Sequence, residues 1–188
     1  MDPDDGYDAL DRATAGFRSV LAAVTDDDWN AATPNPGWTV RDLVNHVVGG
    51  NRRYVLLLGG ASTADVERLR DVDHLGSDPV GAFDRTSAAV AAVFREPGAL
   101  RRTVHHRKGD RSRDELLTMR ILEHALHGWD LATAIGADTR IAPSVVSVLL
   151  DRVTPDLLAR SGYPPAAAAD ADHAVSPQQR LLDLTGRG

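Results

Sequence analysis

"ILEHALHGWDLATAIG", residues 121–136, is the stretch on which the fold turns. Together with Leu116 and Leu117 just before it, it carries apolar residues almost all round the helical wheel: Ile121, Leu122, Ala125, Leu126, Leu131 and Ile135. A helix apolar on every side is a buried one. Ser112 and Glu115 upstream form a capping-box pair, and Gly136 supplies the stop. The spacing therefore predicts a long buried helix over 113–135, which needs other helices around it.

Those helices can be read outward from it. Leu10, Phe17, Leu21 and Val24 recur at helical spacing over 7–25. The acidic "TDDDW" ends that pattern, and "TPNPGWT" is a loop with two prolines and a glycine. Thr39 with Asp42 three residues on marks the start of a helix over 40–58, with Val40, Leu43, Val47 and Tyr54 on one stripe. A short polar helical piece is expected over 63–72. A third long helix, over 79–95, opens on Asp78-Pro79 and closes before Glu96-Pro97-Gly98. "LRRTVHHRKGDRS" reads as a loop or short extended segment. Residues 143–160 read as a fifth helix and 177–185 as a short final one, with "YPPAAAADADHA" irregular between them. The expected fold is all-α: an antiparallel four-helix bundle with one or two additional C-terminal helices. The expected organisation is a single domain over 1–188, with its core at 5–160 and a C-terminal extension at 161–188.

Composition narrows the function classes. The chain has 188 residues, 43% of them hydrophobic but only 5% aromatic, so the core must be mostly Leu, Val and Ala. The net charge of −6 attracts no nucleic-acid backbone as a whole. There is no cysteine, which removes disulfides, thiolate metal sites and an endogenous thiol nucleophile. No apolar run approaches the ~18 residues of a membrane span. The polar, acidic N-terminus resembles no leader, so a cytoplasmic location is expected.

Within the buried helix over 113–135, Glu123 and His127 share a face, with Cβ atoms ~6 Å apart. A carboxylate buried without a partner costs several kcal/mol. A divalent ion compensates, and carboxylate with imidazole is an ordinary donor pair for zinc, nickel or iron. His46, at the border of the Val40/Leu43/Val47 stripe, is the best third ligand. Two histidines and one carboxylate leave positions open, as catalytic sites do. The plainer readings are a hydrogen-bonded core histidine at 46 and an i,i+4 pair of Glu123 and His127 extended by Arg120 into an ion-pair ladder. His124 lies ~100° from Glu123 on the wheel and reads as structural. His105 and His106 sit in a basic loop; His74 and His173 have polar neighbours. Arg53, seven residues after His46, can hold a substrate carboxylate, or it is a solvated helix-end cation. Asp130, one turn after His127, can orient an imidazole N–H or lie on the surface. Trp129 reads as core packing. Arg101, Arg102, Arg107, Lys108, Arg111 and Arg113 read as a solvated charged loop, or as a contact for an anion.

"TDDDWNAATPNPGWTVRDLVNHVVGG" and "ILEHALHGWDLATAIG" together resemble the actinobacterial branch of the DinB/YfiT-like superfamily, the branch similar to the N-terminal domain of mycothiol-dependent maleylpyruvate isomerase. "PQQRLLDLTGRG" also resembles the end of short members. The resemblance implies a four-helix bundle holding a metal through one His of the second long helix and a Glu and a His of a later one: His46, Glu123 and His127. It implies a mycothiol-like thiol as co-substrate, a small electrophilic substrate, thiol S-transferase or isomerase chemistry, and a homodimer as a candidate assembly. Relatives often carry a cysteine where this chain has Asn35; that cysteine is not a ligand. The isomerase has a further C-terminal domain, expected to be too large for the residues left after the fourth long helix. The alternatives are a metal- or ligand-binding module without chemistry, and a structural bundle in which a Glu123–Arg120 ion pair replaces the metal.

Overall fold

The computed structural model describes residues 3–97, 103–104, 109–161, 163 and 176–187. Its elements run α1 (Pro3–Leu21), a 3-10 turn (Asp28–Asn30), α2 (Val40–Leu58), α3 (Thr63–Glu67), α4 (Pro79–Phe94), β1 (Thr103–Val104), β2 (Arg111–Ser112), α5 (Arg113–Ile135), α6 (Pro143–Arg152), α7 (Pro155–Ser161) and α8 (Pro177–Leu184). The start signals act as read. Thr39 with Asp42 and Ser112 with Glu115 form complete capping boxes, and Asp78 caps Gly81 N–H. Gly136 closes α5 with φ 68°, a left-handed conformation that glycine adopts without a Cβ penalty.

Three boundaries differ from expectation. The helix expected over 143–160 is two, because Val153 is extended before Thr154-Pro155, and proline disfavours helical backbone at the residue before it. The helix expected over 63–72 covers only Thr63–Glu67. The first helix begins earlier than expected and ends at Leu21, short of Thr25, whose N–H and hydroxyl both donate to Asp28. β1 and β2 pair antiparallel through Thr103 with Ser112 and Val104 with Arg111. The irregular stretch expected after Tyr163, and His105, His106 and His173, lie outside the described residues.

Side-chain pairings give the bundle its direction. On α1 and α5, Gly6 faces Leu117, Thr14 faces His124 and Phe17 faces Gly128, so these helices run the same way. On α1 and α4, Asp11 pairs with Arg95 and Arg18 with Asp84, so they run oppositely. On α2 and α5, Leu58 meets Arg113, Gly50 meets Arg120 and His46 meets His127, again in opposite directions. The bundle is thus antiparallel between the pairs α1/α5 and α2/α4 and parallel within each, an arrangement that long crossover connections permit. α6 packs on α1 and α5, and α8 packs on α6. Among the described residues no helix is long and apolar enough to cross a membrane.

A polar chain threads the apolar core. His124 bonds Thr14 Oγ1 through Nδ1 at 2.9 Å and Asn51 Oδ1 through Nε2 at 3.1 Å; the Asn51 amide then donates to Thr86 and Ser87. Asn51 Oδ1 only accepts, so His124 carries its proton on Nε2 and takes the Thr14 hydroxyl proton at Nδ1. One residue or more from each of the four bundle helices takes part, and burial holds the imidazole well below its ordinary pKa. His124 is structural, as read. His74, expected among polar surroundings, is instead buried, with Nε2 on the Leu69 carbonyl at 2.8 Å.

Candidate metal centre

The antiparallel register of α2 on α5 sets position 46 across from 127 and position 50 across from 120. His46, Glu123 and His127 therefore line one cleft of about 360 Å³, although the first is far from the others in sequence. The His46 and His127 rings stand edge to face with centroids 5.1 Å apart. Trp38, from the loop before α2, packs its ring 4.7 Å from His46 and 6.1 Å from His127.

Each of the three is prepared differently. His127 is buried and donates Nδ1–H to Asp130 Oδ2 at 2.9 Å. An ionised carboxylate accepts only, so Nδ1 carries the proton and Nε2 is the ring nitrogen turned away from Asp130. His46 makes no hydrogen bond to any described residue; burial, only partly opposed by the Glu123 charge, lowers its pKa to about 4 and keeps it neutral. Burial works against ionisation of Glu123, yet the charge of Arg120 first, then the two imidazoles and Arg53, hold its pKa at about 2. Arg120 is fully buried, donates Nη2–H to Glu123 Oε2 at 2.6 Å and lies over the Tyr54 ring at 5.2 Å. The donor set is two imidazoles and one carboxylate, facing one cleft, which suits a borderline divalent ion. Among the described residues, however, no three His, Asp or Glu side chains already stand at ligating spacing. Glu123 leans on Arg120 through one oxygen and has the other left for an ion.

Asp130 proves to be the organiser behind His127. It is buried and takes, besides His127, an N–H from Asn35 at 2.9 Å and two from Arg187 at 2.8 Å each. Burial opposes its charge, but the His127 and Arg187 hydrogen bonds hold its carboxyl well below the usual range. Of the two readings open for Asp130, orientation of an imidazole N–H is the one the geometry supports. Ser161, Tyr163, Thr185, Gly186 and Arg187 complete the cleft wall, so the C-terminal residues take part in the site.

Other sequence candidates fall elsewhere. Arg53 lines not this cleft but a neighbouring pocket between α2 and α3. Trp129 is half-buried against the core, as read. Arg111 and Arg113, expected in a solvated loop, are buried: their guanidinium groups donate to the carbonyls of Arg160 and Leu58. Arg101, Arg102, Arg107 and Lys108 lie outside the described residues.

Residues 10–132, which hold the bundle and all three cleft side chains, match the family model described as Mycothiol maleylpyruvate isomerase N-terminal domain. The chain belongs to this family. Two uncharacterized proteins of Mycobacterium tuberculosis, from strains H37Rv and CDC 1551, are each 31% identical over 137 residues, covering 73% of this chain and 71% of theirs. The crystal structure of a mycothiol-dependent maleylpyruvate isomerase is similar in fold, with TM-score 0.72, 16% identity, and coverage of 100% of this chain and 90% of that one. A mutant of that enzyme type gives 0.64 at 17% identity, covering 78% of this chain and 67% of that one.

Sequence reasoning missed Trp38, Tyr163 and Arg187 as parts of the site. Trp38 and Arg187 sit inside the two segments, "TPNPGWT" and "PQQRLLDLTGRG", that carried the family resemblance without an assigned role. Tyr163 had no signal, since nothing local says which way the chain turns after α7.

Proposed function

We propose that this chain is a divalent-metal-dependent enzyme of the thiol S-transferase or isomerase type, with the ion held by His46, Glu123 and His127. Zinc is the first choice for such donors, with nickel or iron next. The observation that carries the reading is the convergence of these three on one cleft while Asp130 pins Nδ1 of His127, leaving Nε2 for a ligand bond. A bound ion there would favour the thiolate form of an arriving thiol and stabilise negative charge developing on the electrophile.

The chain's own residues supply the rest. The polypeptide has no cysteine, so the thiol comes from solution, and a mycothiol-like thiol is the co-substrate that the family suggests. Asp130 fixes the His127 tautomer, Arg120 keeps Glu123 ionised, and Trp38 covers one side of both imidazoles. The cleft of about 360 Å³ suits a small molecule.

A second reading has one observation in its favour. The Arg120–Glu123 ion pair is the arrangement that a bundle with a vestigial site would show. Elemental analysis of protein purified without chelator and without nickel chromatography separates the two. One divalent ion per chain, lost in His46→Ala and in Glu123→Ala, supports the metal centre; metal-free wild type after zinc dialysis eliminates it. Consumption of thiol only in the presence of a reactive electrophile then separates enzyme from binding module.

A further inference from the structure

The hydroxyl of Tyr163 lies on the same cleft as His46, Glu123 and His127, and the chemistry proposed above leaves it without a task. Just beyond α7, the Tyr163 N–H donates to the Leu158 carbonyl at 3.0 Å, and the half-buried ring packs against the core. These contacts hold the phenol in the cleft wall, where its charged neighbours are Glu123, Arg187 and Asp130.

The other hydrogen-bonding side chains around the cleft are committed. Asn35, His127 and Arg187 donate to Asp130, and Arg120 donates to Glu123. Ser161 Oγ donates to Met119 Sδ, and Thr185 Oγ1 to the carbonyls of Leu181 and Leu182. Among the described residues, the His46 ring and the Tyr163 hydroxyl are the polar groups of the cleft with no hydrogen-bond partner. On the metal-centre reading His46 faces the ion, which leaves Tyr163 as the free donor. Charge offers no substitute, since Glu123 already matches Arg120 and Asp130 matches Arg187. A phenol keeps its proton at neutral pH and can donate it. Burial first, and then the Glu123 charge, push the pKa of this one further up.

The negative charge that such a donor meets must arrive with the ligand. The chain has no cysteine, so the sulfur comes from solution, and its reactive form is the thiolate. An O–H donated to an ionised acceptor is roughly twice as strong as one donated to a neutral acceptor. We propose that Tyr163 donates its Oη–H to the sulfur of the bound thiol, favouring thiolate over thiol in the cleft. This role rests on the thiol-transfer reading and gives it a catalytic residue. The S–H bond of the thiol breaks on binding and its proton leaves to solvent, while Tyr163 keeps its own proton throughout.

The experiment is calorimetric titration of the full-length chain, with its zinc content measured beforehand, against mycothiol and against S-methyl mycothiol. The two ligands share every contact except those of an ionisable sulfur. Mycothiol is expected to bind the more tightly. Tyr163→Phe, at the same zinc content and Tm, weakens mycothiol about tenfold or more and leaves the S-methyl compound unchanged. Repeated across pH, the midpoint at which the bound thiol loses its proton rises by about one unit in the variant, the same tenfold. A Tyr163→Phe variant with wild-type mycothiol affinity and midpoint overturns the proposal. Equal weakening of both ligands overturns it too, because the hydroxyl then serves the fold or another part of the ligand. A wild type that binds no mycothiol overturns it together with the thiol-transfer reading. Mycothiol binding that depends on Tyr163 in a chain without zinc keeps the donor and removes the metal centre, so the two ideas fail separately.

Discussion

Replacing Asp130 by asparagine tests the organisation of the centre without touching a proposed ligand. The carboxylate is 1% exposed and receives four hydrogen bonds, from His127, Asn35 and twice from Arg187, whose side chain is itself only 11% exposed. Asparagine keeps one acceptor and turns the other into an N–H donor, set against a guanidinium that now has no counter-charge. Breaking a buried ion pair from one side costs about 3–5 kcal/mol. Arg187 lies three residues beyond the end of α8 and can swing toward solvent, which argues for about 3 kcal/mol. For a chain of 188 residues, each kcal/mol moves Tm by roughly 2–4 °C, so the metal-free variant should melt about 6–12 °C below wild type. His127 also loses the acceptor that fixes its tautomer, and loss of such a partner weakens metal binding about 10- to 100-fold. Calorimetric melting gives the first quantity; zinc competition against a chromophoric chelator gives the second. Arg187→Met is the control, since it destabilises but leaves Asp130 bonded to His127. A drop in Tm with unchanged zinc affinity in Asp130→Asn would show that Asp130 ties the chain together and does nothing for His127. An unchanged Tm would refute the burial argument itself.

The remaining predictions are smaller. Gly50→Ala should destabilise despite the better helix propensity of alanine, because its Cβ would meet the Arg120 guanidinium, whereas Gly16→Ala, exposed on α1 with nothing within 4 Å, should stabilise by about 0.5–1 kcal/mol; urea melts of both check the pair, and a stabilised Gly50→Ala would remove the close approach. Stability of the metal-free protein should be full above about pH 6.5. It should fall as the pH drops toward 4, because the unfolded chain takes up protons that folded His46 and His124 refuse, with each such proton contributing about 1.4 kcal/mol per pH unit. Glu123, ionised down to about pH 2 when folded, extends the loss from about pH 4.5 toward 2. A Tm that stays flat between pH 7 and 5 would mean that neither imidazole is held neutral by burial.

How much of this could be read from the chain depends on the range of the forces concerned. Caps are local: Thr39 with Asp42 and Ser112 with Glu115 bond within three residues, so pattern and geometry agree. That Glu123 and His127 face the same way was also legible, because i,i+4 spacing is fixed by the helix itself, and a charge inside an apolar stripe demands a partner, which for Glu123 is Arg120. Directions and partners between helices were not. Periodicity says that a face is buried, not which helix covers it, so the parallel pairing of α1 with α5 had no local sign. Arg111 and Arg113 show the same gap: beside other cations they read as a solvated cluster, while their burial depends on the distant carbonyls of Arg160 and Leu58.

The same reasoning explains why the C-terminal residues bear on the site. Asp130 could in principle orient His127 alone, through one hydrogen bond at i,i+3. A lone buried carboxylate would then have two or three accepting positions unfilled, at a cost of several kcal/mol. Arg187 and Asn35 fill them from two separate stretches of chain, the loop before α2 and the residues after α8. Both stretches also line the cleft, so the groups that make Asp130 affordable are the groups that wall off the imidazoles. Folding of the tail against α5 therefore stabilises the buried Asp130 carboxylate that accepts the His127 N–H.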